Sequence, residues 1–375
     1  MYSVGVYLFT IHFFHERVCV MATAAQKRIK SISYAKYGYI FILPFFIVYL
    51  FYQFWPLINT FIVAFKGNTV HTEEFVGLNN FKDLLIGDSS KPFSAAQQVH
   101  EAFFRTLGNT VILWVGNFIP QILLSLSLAV WFTEANLKIP GKEFFKVVMY
   151  LPNILTAASV AVLFVQLCGQ SETNPGAINS LLTKFGIVKT TSAGLLVNPV
   201  EFIDGVWPSR FVVMFIQTWM WFGNTMIMLM SGIQGINPSL FEAASIDGAS
   251  SGQVFRKITL PLLTPIMAYT LVTSMIGGLQ MFDIPYLYNK DGSASKYLET
   301  IAALIYKYFH VTNQEQNKIG YSGAASVLLF FITLILGCIA FYMTRDKDEI
   351  AKKKQRKKIA KQLKAESKQF GGFSI

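Results

Sequence analysis

Charged residues are scarce in long parts of this sequence. Only 14% of its 375 residues are Asp, Glu, Lys or Arg, against 53% hydrophobic residues, and several runs of about 20 residues or more contain no charge. Such a run is long enough to cross a bilayer as a helix. We therefore predict an all-α polytopic membrane protein. Its six transmembrane helices are expected at Tyr39–Phe61, Val111–Thr133, Val147–Leu167, Phe211–Ile233, Leu262–Phe282 and Tyr321–Met343.

The absence of ionisable residues from these runs also limits the function. Secondary transporters usually place charged residues or broken helices at mid-membrane to couple ions to cargo, so that class is a remote alternative. A membrane enzyme ranks lower still, because the five histidines lie outside the predicted helices and show no metal-ligand spacing. We predict no catalytic site and no metal site. The histidines are His12, His15, His71, His100 and His310.

Cysteine is rare as well, and its three residues form no motif. Cys168 and Cys338 are interpreted as buried small hydrophobic residues rather than redox groups. A phosphate-binding loop is also missing, because Gly141-Lys142 is followed by Glu143, and Asn136 stands where the first glycine belongs. If ATP drives this protein, a partner chain binds it, and we predict no cofactor for this chain.

Basic residues are unevenly distributed. With the N-terminus placed inside, most Lys and Arg fall on the inner side. We therefore expect both termini and the 237–261 loop in the cytoplasm of a bacterial cell, and the chain in its plasma (inner) membrane. We expect residues 1–36 to form a cytoplasmic segment, residues 37–344 to form the membrane domain and residues 345–375 to form a basic cytoplasmic tail. Within the first segment, Met21 is the hypothetical physiological start. The tail favours anionic inner-leaflet lipid over nucleic acid as a partner.

Polar residues and a proline interrupt the predicted helices. The second helix is expected to begin at Asn109. A kink is predicted in the third helix at Leu151-Pro152-Asn153, whose freed backbone groups need neighbours or water. Three polar residues inside the second helix are interpreted as hydrogen-bonding contacts between helices rather than as contacts to cargo. They are Gln121, Ser125 and Ser127.

The first half of the loop between the fourth and fifth helices contains clear signals for a short helix. Asn237 is a good N-cap, and Pro238 occupies the first helical position, where proline is tolerated. The helix should extend to about Ile246 and stop at Asp247-Gly248, which favours a turn.

The second half of this loop predicts another short helix. Ser250 and Gln253 have the spacing of a capping box, and Pro261 is expected to end the helix. Two short helices joined by a glycine turn suggest a docking device. The apolar residues of the second helix share one face; they are Val254, Phe255 and Ile258.

This loop resembles the "EAA" loop of permease subunits of ABC importers. The matching residues are Glu242-Ala243-Ala244, Asp247-Gly248-Ala249, Phe255, Ile258 and Leu260-Pro261. From about Tyr37 to Thr344 the chain resembles the carbohydrate-importer branch, and in particular the first permease of sugar-importer pairs. Shorter matches occur at Phe75–Phe81 and Gly176–Leu182, where an ordinary turn or simple packing explains the residues equally well. After Phe282-Asp283 the chain departs from the family pattern, with Tyr288–Gly292 in place of Thr-x-Gly-Gly-Pro.

The resemblance implies a type I ABC importer permease fold with six transmembrane helices and a cytoplasmic coupling-helix loop. It implies a second permease as heterodimer partner, an ABC ATPase dimer, an extracytoplasmic solute-binding protein and a di- or oligosaccharide substrate. A glycerol-phosphate or polyol cargo is the alternative. In the loop, Glu242 would be the charged contact with the ATPase, Gly248 the uncrowded turn, and Phe255 and Ile258 the apolar anchors. The full set of coupling residues is Glu242, Ala243, Ala244, Asp247, Gly248, Ala249, Phe255, Ile258 and Pro261.

Residues for the substrate path are predicted on the fourth and fifth helices. Gln217, Trp221 and Asn224 are spaced i, i+4, i+7 and share one helical face, and Gly277 and Gln280 lie on the fifth helix. Buried amides must face protein, water or ligand, and aromatic faces beside amides suit a sugar. Hydrogen bonding and packing between helices is the alternative. The resemblance favours the cavity, because sugar-importer permeases line theirs at these positions.

Overall fold

The computed structural model describes residues 35–67, 74–134, 137, 139–169, 176–190, 196–289, 295–310, 318–343 and 354–360. The chain divides into two units, residues 1–61 and 62–375, and the packing described below lies within the second. The Met21 hypothesis lies outside the described residues. Of the basic tail only residues 354–360 are described, and they form an exposed helical segment.

Helices dominate the described residues. They are α1 (Ala35–Tyr49), a π-turn (Leu50–Phe54), α2 (Trp55–Ala64), α3 (Asn79–Leu85), α4 (Ala95–Thr133), α5 (Lys142–Tyr150), a 3₁₀ turn (Leu151–Ile154), α6 (Ala157–Leu167), α7 (Gly176–Lys184), α8 (Val206–Gln234), α9 (Pro238–Ile246), α10 (Ser251–Val254), a π-turn (Phe255–Thr259), α11 (Leu260–Leu279), α12 (Asp283–Leu287), α13 (Ile301–Phe309) and α14 (Ile319–Met343). An antiparallel pair of short strands, β1 (Lys189–Thr190) and β2 (Leu196–Val197), follows α7.

Five helical segments in the described residues are long and apolar enough to cross a membrane, and a bent pair can provide a sixth crossing. This confirms the predicted all-α membrane architecture. The five segments are Tyr37–Ala64, Ala95–Thr133, Val206–Gln234, Ser251–Leu287 and Ile319–Tyr342, and the bent pair is Lys142–Ile154 with Ala157–Leu167.

The second membrane helix, α4, begins far earlier than Asn109, so that prediction is wrong. Ser94 caps the helix by accepting a hydrogen bond from the Gln97 backbone N–H at 3.2 Å. With 39 residues, α4 extends about 58 Å, roughly twice the hydrocarbon thickness of a bilayer. The charges near its start, such as Arg105, mark the end of the apolar run but not the end of the helix.

The third membrane segment is two helices rather than the single kinked helix predicted over Val147–Leu167. Pro152 is buried in the 3₁₀ turn, and Thr156 caps α6 by accepting from the Ser159 backbone N–H at 3.3 Å. Because the chain ends one helix and caps a new one, α5 and α6 diverge by 93°. Asn153 Nδ2 donates to the Met220 carbonyl oxygen at 3.3 Å, so α8 supplies a partner at the break.

The core of the second unit is the pair α4 and α8, which lie parallel. Four side-chain hydrogen bonds, two of them to backbone carbonyls, join the two helices at different points along their length and fix their register. The pairs are Arg210 to Asn109 at 2.6 Å, Thr218 to the Asn117 carbonyl at 3.1 Å, Gln121 to Thr225 at 2.8 Å and Ser125 to the Phe222 carbonyl at 2.7 Å. The predicted contacts between helices are therefore confirmed for Gln121 and Ser125. For Ser127 the prediction is wrong, because its hydroxyl bonds the Leu123 carbonyl one turn back in the same helix.

Each of the two short matches outside the membrane helices contains a buried asparagine. Asn80 donates to the carbonyl oxygens of Ala64 and Lys66 at 2.9 and 2.8 Å. Asn179 donates to the carbonyl of Val200 at 3.0 Å and accepts from the backbone N–H of the same residue at 3.0 Å. Both residues hold backbone segments together, which is a structural role.

The cysteine prediction is confirmed at one position and wrong at the other. Cys168 is buried, whereas Cys338 is exposed on α14. In a membrane-spanning helix an apolar residue can face lipid, so low polarity does not imply burial within the protein.

Candidate functional site

The first half of the loop folds as predicted. The Asn237 side chain accepts a hydrogen bond from the Ser239 backbone N–H at 3.1 Å, and α9 ends at Ile246. Gly248 follows with φ +73°, a conformation that side chains with a Cβ rarely adopt. Ser250 and Gln253 form the expected capping box. These contacts are local, so the shape of the loop does not depend on a partner.

The second half of the loop is not a separate helix, and the prediction that Pro261 ends it is wrong. The chain stays helical from Ser251 through the π-turn into α11. In the π-turn the Leu260 N–H donates to the Phe255 carbonyl, five residues back, so the turn is wider by one residue just before Pro261. Since proline has no N–H to donate, this wider turn lets the helix continue past it. The loop is therefore joined rigidly to α11.

The predicted coupling residues differ in exposure. Ala244 is buried against the protein, whereas Phe255, Ile258 and Ala249 are half-buried. The exposed members of the set are Glu242, Ala243, Asp247, Gly248 and Pro261.

An exposed apolar residue that the sequence reasoning missed lies in the same loop. Ile246 is 86% exposed, and Leu240 on the same short helix is also exposed. Ile246 is the last residue of α9, and the turn after it contains an exposed aspartate and a glycine, Asp247 and Gly248. In the sequence, the signal for an exposed apolar residue here is an isoleucine directly before an Asp-Gly turn.

A cavity of about 500 Å³ opens between α4, α8, α11 and α12. All the residues predicted for the substrate path line it, namely Gln217, Trp221, Asn224, Gly277 and Gln280. The sequence reasoning missed the contribution of α4 and several residues of α11 and α12; the main ones are Trp114, Asn117, Tyr269, Ser274 and Asp283. For α4 the sequence predicts only contacts between helices, at Gln121, Ser125 and Ser127, and gives no role to Asn117 or Trp114.

The wall formed by α11 depends on two adjacent glycines with opposite surroundings. A Cβ at Gly278 would overlap the Trp114 indole, whereas a Cβ at Gly277 would meet nothing within 4 Å. Trp114 Nε1 donates to Ser274 Oγ at 3.2 Å, which fixes the ring on α11. Gly278 thus allows Trp114 to pack closely, and Gly277 leaves space open.

Five amide side chains line this cavity, and three of them belong to buried residues, Asn117, Gln121 and Gln217. Gln121 is satisfied by Thr225 at 2.8 Å. In the part of the chain that the structure describes, the buried side chains of Asn117 and Gln217 have no hydrogen-bond partner, and both line the cavity. Their amide atoms are not among the fully buried, unpaired polar atoms of the described residues, so both groups reach the open space of the cavity and can bond water or a ligand. Trp221, 46% exposed, offers an aromatic face beside them.

A cluster of charged residues joins the ends of α4 and α8 that lie away from the Asn237–Ser250 loop. Glu299, only 4% exposed, accepts from Arg105 at 2.9 Å and from Lys307 at 3.0 Å. Arg210 donates to Asn109 at 2.6 Å, and Asn109 in turn donates to the Glu299 backbone carbonyl at 3.1 Å. Burial and the Glu299 charge raise the pKa of the nearby Tyr308 to about 12. Among the described residues no group of three His, Cys, Asp or Glu could hold a metal ion.

The fold agrees with what comparison with known proteins shows. The family model described as "binding-protein-dependent transport system inner membrane component" matches residues 115–346. The chain belongs to this family, whose members are multi-pass membrane components of transport systems.

Individual relatives are similar over most of their length. The arabinooligosaccharides transport system permease protein AraP of Bacillus subtilis (strain 168) is 26% identical over 327 residues, covering 87% of this chain and 94% of that protein. The lactose transport system permease protein LacF of Rhizobium radiobacter is 24% identical over 327 residues, covering 87% and 100%. These relatives are transport permeases, not enzymes.

A solved structure has the same fold. It is a chain of a bacterial ABC transporter involved in the import of the acidic polysaccharide alginate, with a TM-score of 0.67 and 23% identity. The match covers 84% of this chain and 97% of that chain. The protein therefore has the fold of an ABC importer permease.

Proposed function

We propose that this chain is the transmembrane permease subunit of an ATP-driven, binding-protein-dependent importer of di- or oligosaccharides. The observation that carries the proposal is a continuous helical connection. The Asn237–Ser250 loop leads directly into the helix Ser251–Leu279, and the far half of that helix lines the cavity. A push on the loop is therefore transmitted to the cavity wall.

The cavity chemistry supports a saccharide as cargo. Sugars present C–H faces that pack on aromatic rings and hydroxyls that bond to amides. Trp114, Trp221 and Tyr269 supply the rings, and Asn117 and Gln217 supply amides without a partner in the described part of the chain. Apolar pockets with a few well-placed polar groups are typical ligand sites. The relatives named for arabinooligosaccharide and lactose transport agree with this class of cargo.

The loop has the properties of a docking element for a partner ATPase. On α9 the exposed side chains combine a charge at Glu242 with apolar surface at Leu240 and Ile246, a mixture suited to a protein interface. We propose that these three and the predicted coupling residues other than the buried Ala244 contact the ATPase. ATP is bound by that partner, and this chain needs no cofactor of its own.

The remaining partners follow from the proposed transport cycle. A second permease would complete the wall of the cavity as a heterodimer, and a solute-binding protein would deliver the sugar from outside. A structure of the bacterial alginate transporter contains a periplasmic protein bound to alginate pentasaccharide. We infer that the termini and the Asn237–Ser250 loop face the cytoplasm, as the distribution of Lys and Arg requires.

The test is reconstitution of this chain in proteoliposomes with its second permease, its ATPase and its binding protein. ATPase stimulation and uptake are screened over mono-, di- and oligosaccharides, with polyols and phosphorylated polyols as the counter-panel. We expect stimulation and uptake with at least one di- or oligosaccharide. If only a polyol or glycerol phosphate is taken up, the cargo belongs to that class and not to the saccharides. Uptake without ATP would refute the ATP-driven mechanism.

A further inference from the structure

The cavity lining contains a single charged residue. Asp283, the first residue of α12, lies between the lining residues Phe282 and Ile284. All the other lining residues are uncharged, and no Lys, Arg or His is among them. Asp283 is exposed, and within the described residues it forms no ion pair. Within the described part of the chain, its carboxylate is therefore available to whatever occupies the cavity.

Three cations near this end of the protein are held by partners outside the cavity. Arg105 and Lys307 bind Glu299. Arg210 donates to Asn109 and to the Tyr297 carbonyl, at 2.6 and 3.2 Å. None of the three lines the cavity. Recognition of a carboxylate or phosphate usually relies on Arg or Lys, and this wall offers neither.

We propose that Asp283 makes the cavity selective against anionic saccharides, so that the cargo is an uncharged saccharide. The inference rests on the proposed function. A carboxylate in a cavity whose lining holds no cation repels a second negative charge. The same carboxylate accepts hydrogen bonds from sugar hydroxyls, so it attracts a neutral sugar. The fold does not decide this property, because the structural neighbour takes part in the import of an acidic polysaccharide.

The experiment measures ligand binding to the permease without the binding protein, whose own selectivity would hide that of the cavity. The purified complex of both permeases and the ATPase is titrated in nanodiscs while intrinsic tryptophan fluorescence reports the occupancy. The probes are a neutral trisaccharide that the complete importer transports and the same trisaccharide with one C6 hydroxymethyl group oxidised to a carboxylate. The two ligands differ only in that group.

We expect the oxidised trisaccharide to bind the wild type at least about tenfold more weakly than the neutral one, which corresponds to about 1.4 kcal/mol. Asp283→Asn should reduce the ratio to about threefold or less. Asp283→Glu keeps the charge and should keep the wild-type ratio. Asp88→Asn, at a half-buried aspartate outside the cavity, is the control and should also keep it.

Two results would overturn the inference and leave the proposed function intact. One is equal binding of both trisaccharides by the wild type. The other is that Asp283→Asn keeps the wild-type ratio, or that it binds neither trisaccharide while Asp283→Glu behaves like the wild type. If the complete importer transports no neutral saccharide at all, the proposed function itself fails.

Discussion

The indole of Trp114 packs directly on Gly278, and its Nε1 donates a hydrogen bond to Ser274 Oγ at 3.2 Å. This contact joins α4 to α11 at the cavity. It also fixes which part of the aromatic ring faces the open space. The shape of this wall therefore depends on the absence of a side chain at position 278.

Gly278→Ala should destabilise the protein and narrow the cavity. The new methyl group would overlap the ring and Cβ of Trp114, which cannot move aside without shifting α4. Overpacking of this kind costs about 1–3 kcal/mol. Thermal unfolding in detergent, followed by tryptophan fluorescence, measures the loss. Gly277→Ala is the matched control for stability, because its Cβ meets nothing within 4 Å and alanine favours a helix by about 1 kcal/mol over glycine. Equal melting temperatures for the two variants would contradict the packing argument.

Trp221→Ala should weaken sugar transport without uncoupling the ATPase. The ring lines the cavity and is half-exposed to it, so its loss removes apolar contact with the cargo. Losing a large apolar contact costs about 1.5–3 kcal/mol, and we expect KM for uptake to rise about tenfold or more. Trp131→Ala, an exposed tryptophan outside the cavity, is the control and should keep the wild-type KM. An unchanged uptake curve for Trp221→Ala would leave this residue a packing role only.

The sequence predicted the parts of this structure that depend on local or periodic signals. The helical spacing of Gln217, Trp221 and Asn224 placed them on one face, and the cavity lies on that face. Asn237 and the Ser250–Gln253 pair cap helices because capping involves only neighbouring residues. These predictions needed no knowledge of the tertiary structure.

The predictions that were wrong or incomplete concern features that depend on contacts between distant residues or on unusual backbone geometry. Pro261 normally ends a helix, but the π-turn before it lets the chain continue, and no simple pattern announces a π-turn. Asn117 and Trp114 reach the cavity only because α4 lies parallel to α8, which sequence alone does not specify. Glu299 was missed because its partners Arg105 and Lys307 come from separate elements.

Glu299→Gln should lower the free energy of unfolding by about 2 kcal/mol. The substitution keeps the shape of a buried side chain but removes the negative charge that Arg105 and Lys307 share, and a buried pair that loses one partner is strongly destabilised. The partial exposure of both cations limits the loss through solvent screening. Denaturant unfolding in detergent measures it.

The matched control for this change is Glu143→Gln. Glu143 also forms an ion pair, with Lys146 at 2.7 Å, but its side chain is 82% exposed. Exposed pairs contribute about 0.2–1 kcal/mol, so this variant should unfold almost as the wild type does. If the two substitutions reduce stability equally, the cluster around Glu299 is not a structural tie between α4, α8 and α13.

Gly248→Asp should abolish sugar-stimulated ATPase activity while the protein still inserts into the membrane. Gly248 is exposed, and a Cβ there would meet nothing within 4 Å of this chain. A side chain at this position therefore has no clash inside the protein, and only its φ of +73° is unfavourable, at a cost of about 1–2 kcal/mol. A complete loss of coupling must then come from crowding of the partner ATPase.

Gly186→Asp separates these two effects. Gly186 has the same φ of +73° and equally open surroundings, but it follows α7, outside the Asn237–Ser250 loop. It should carry the same backbone strain and keep stimulated ATPase activity and uptake. Copurification of the ATPase with each variant measures docking directly: we expect Gly248→Asp to lose the ATPase and Gly186→Asp to retain it. If the Gly248→Asp variant keeps the ATPase and its stimulation by sugar, this turn is not part of the proposed coupling interface. Backbone strain would then be the only effect of the substitution.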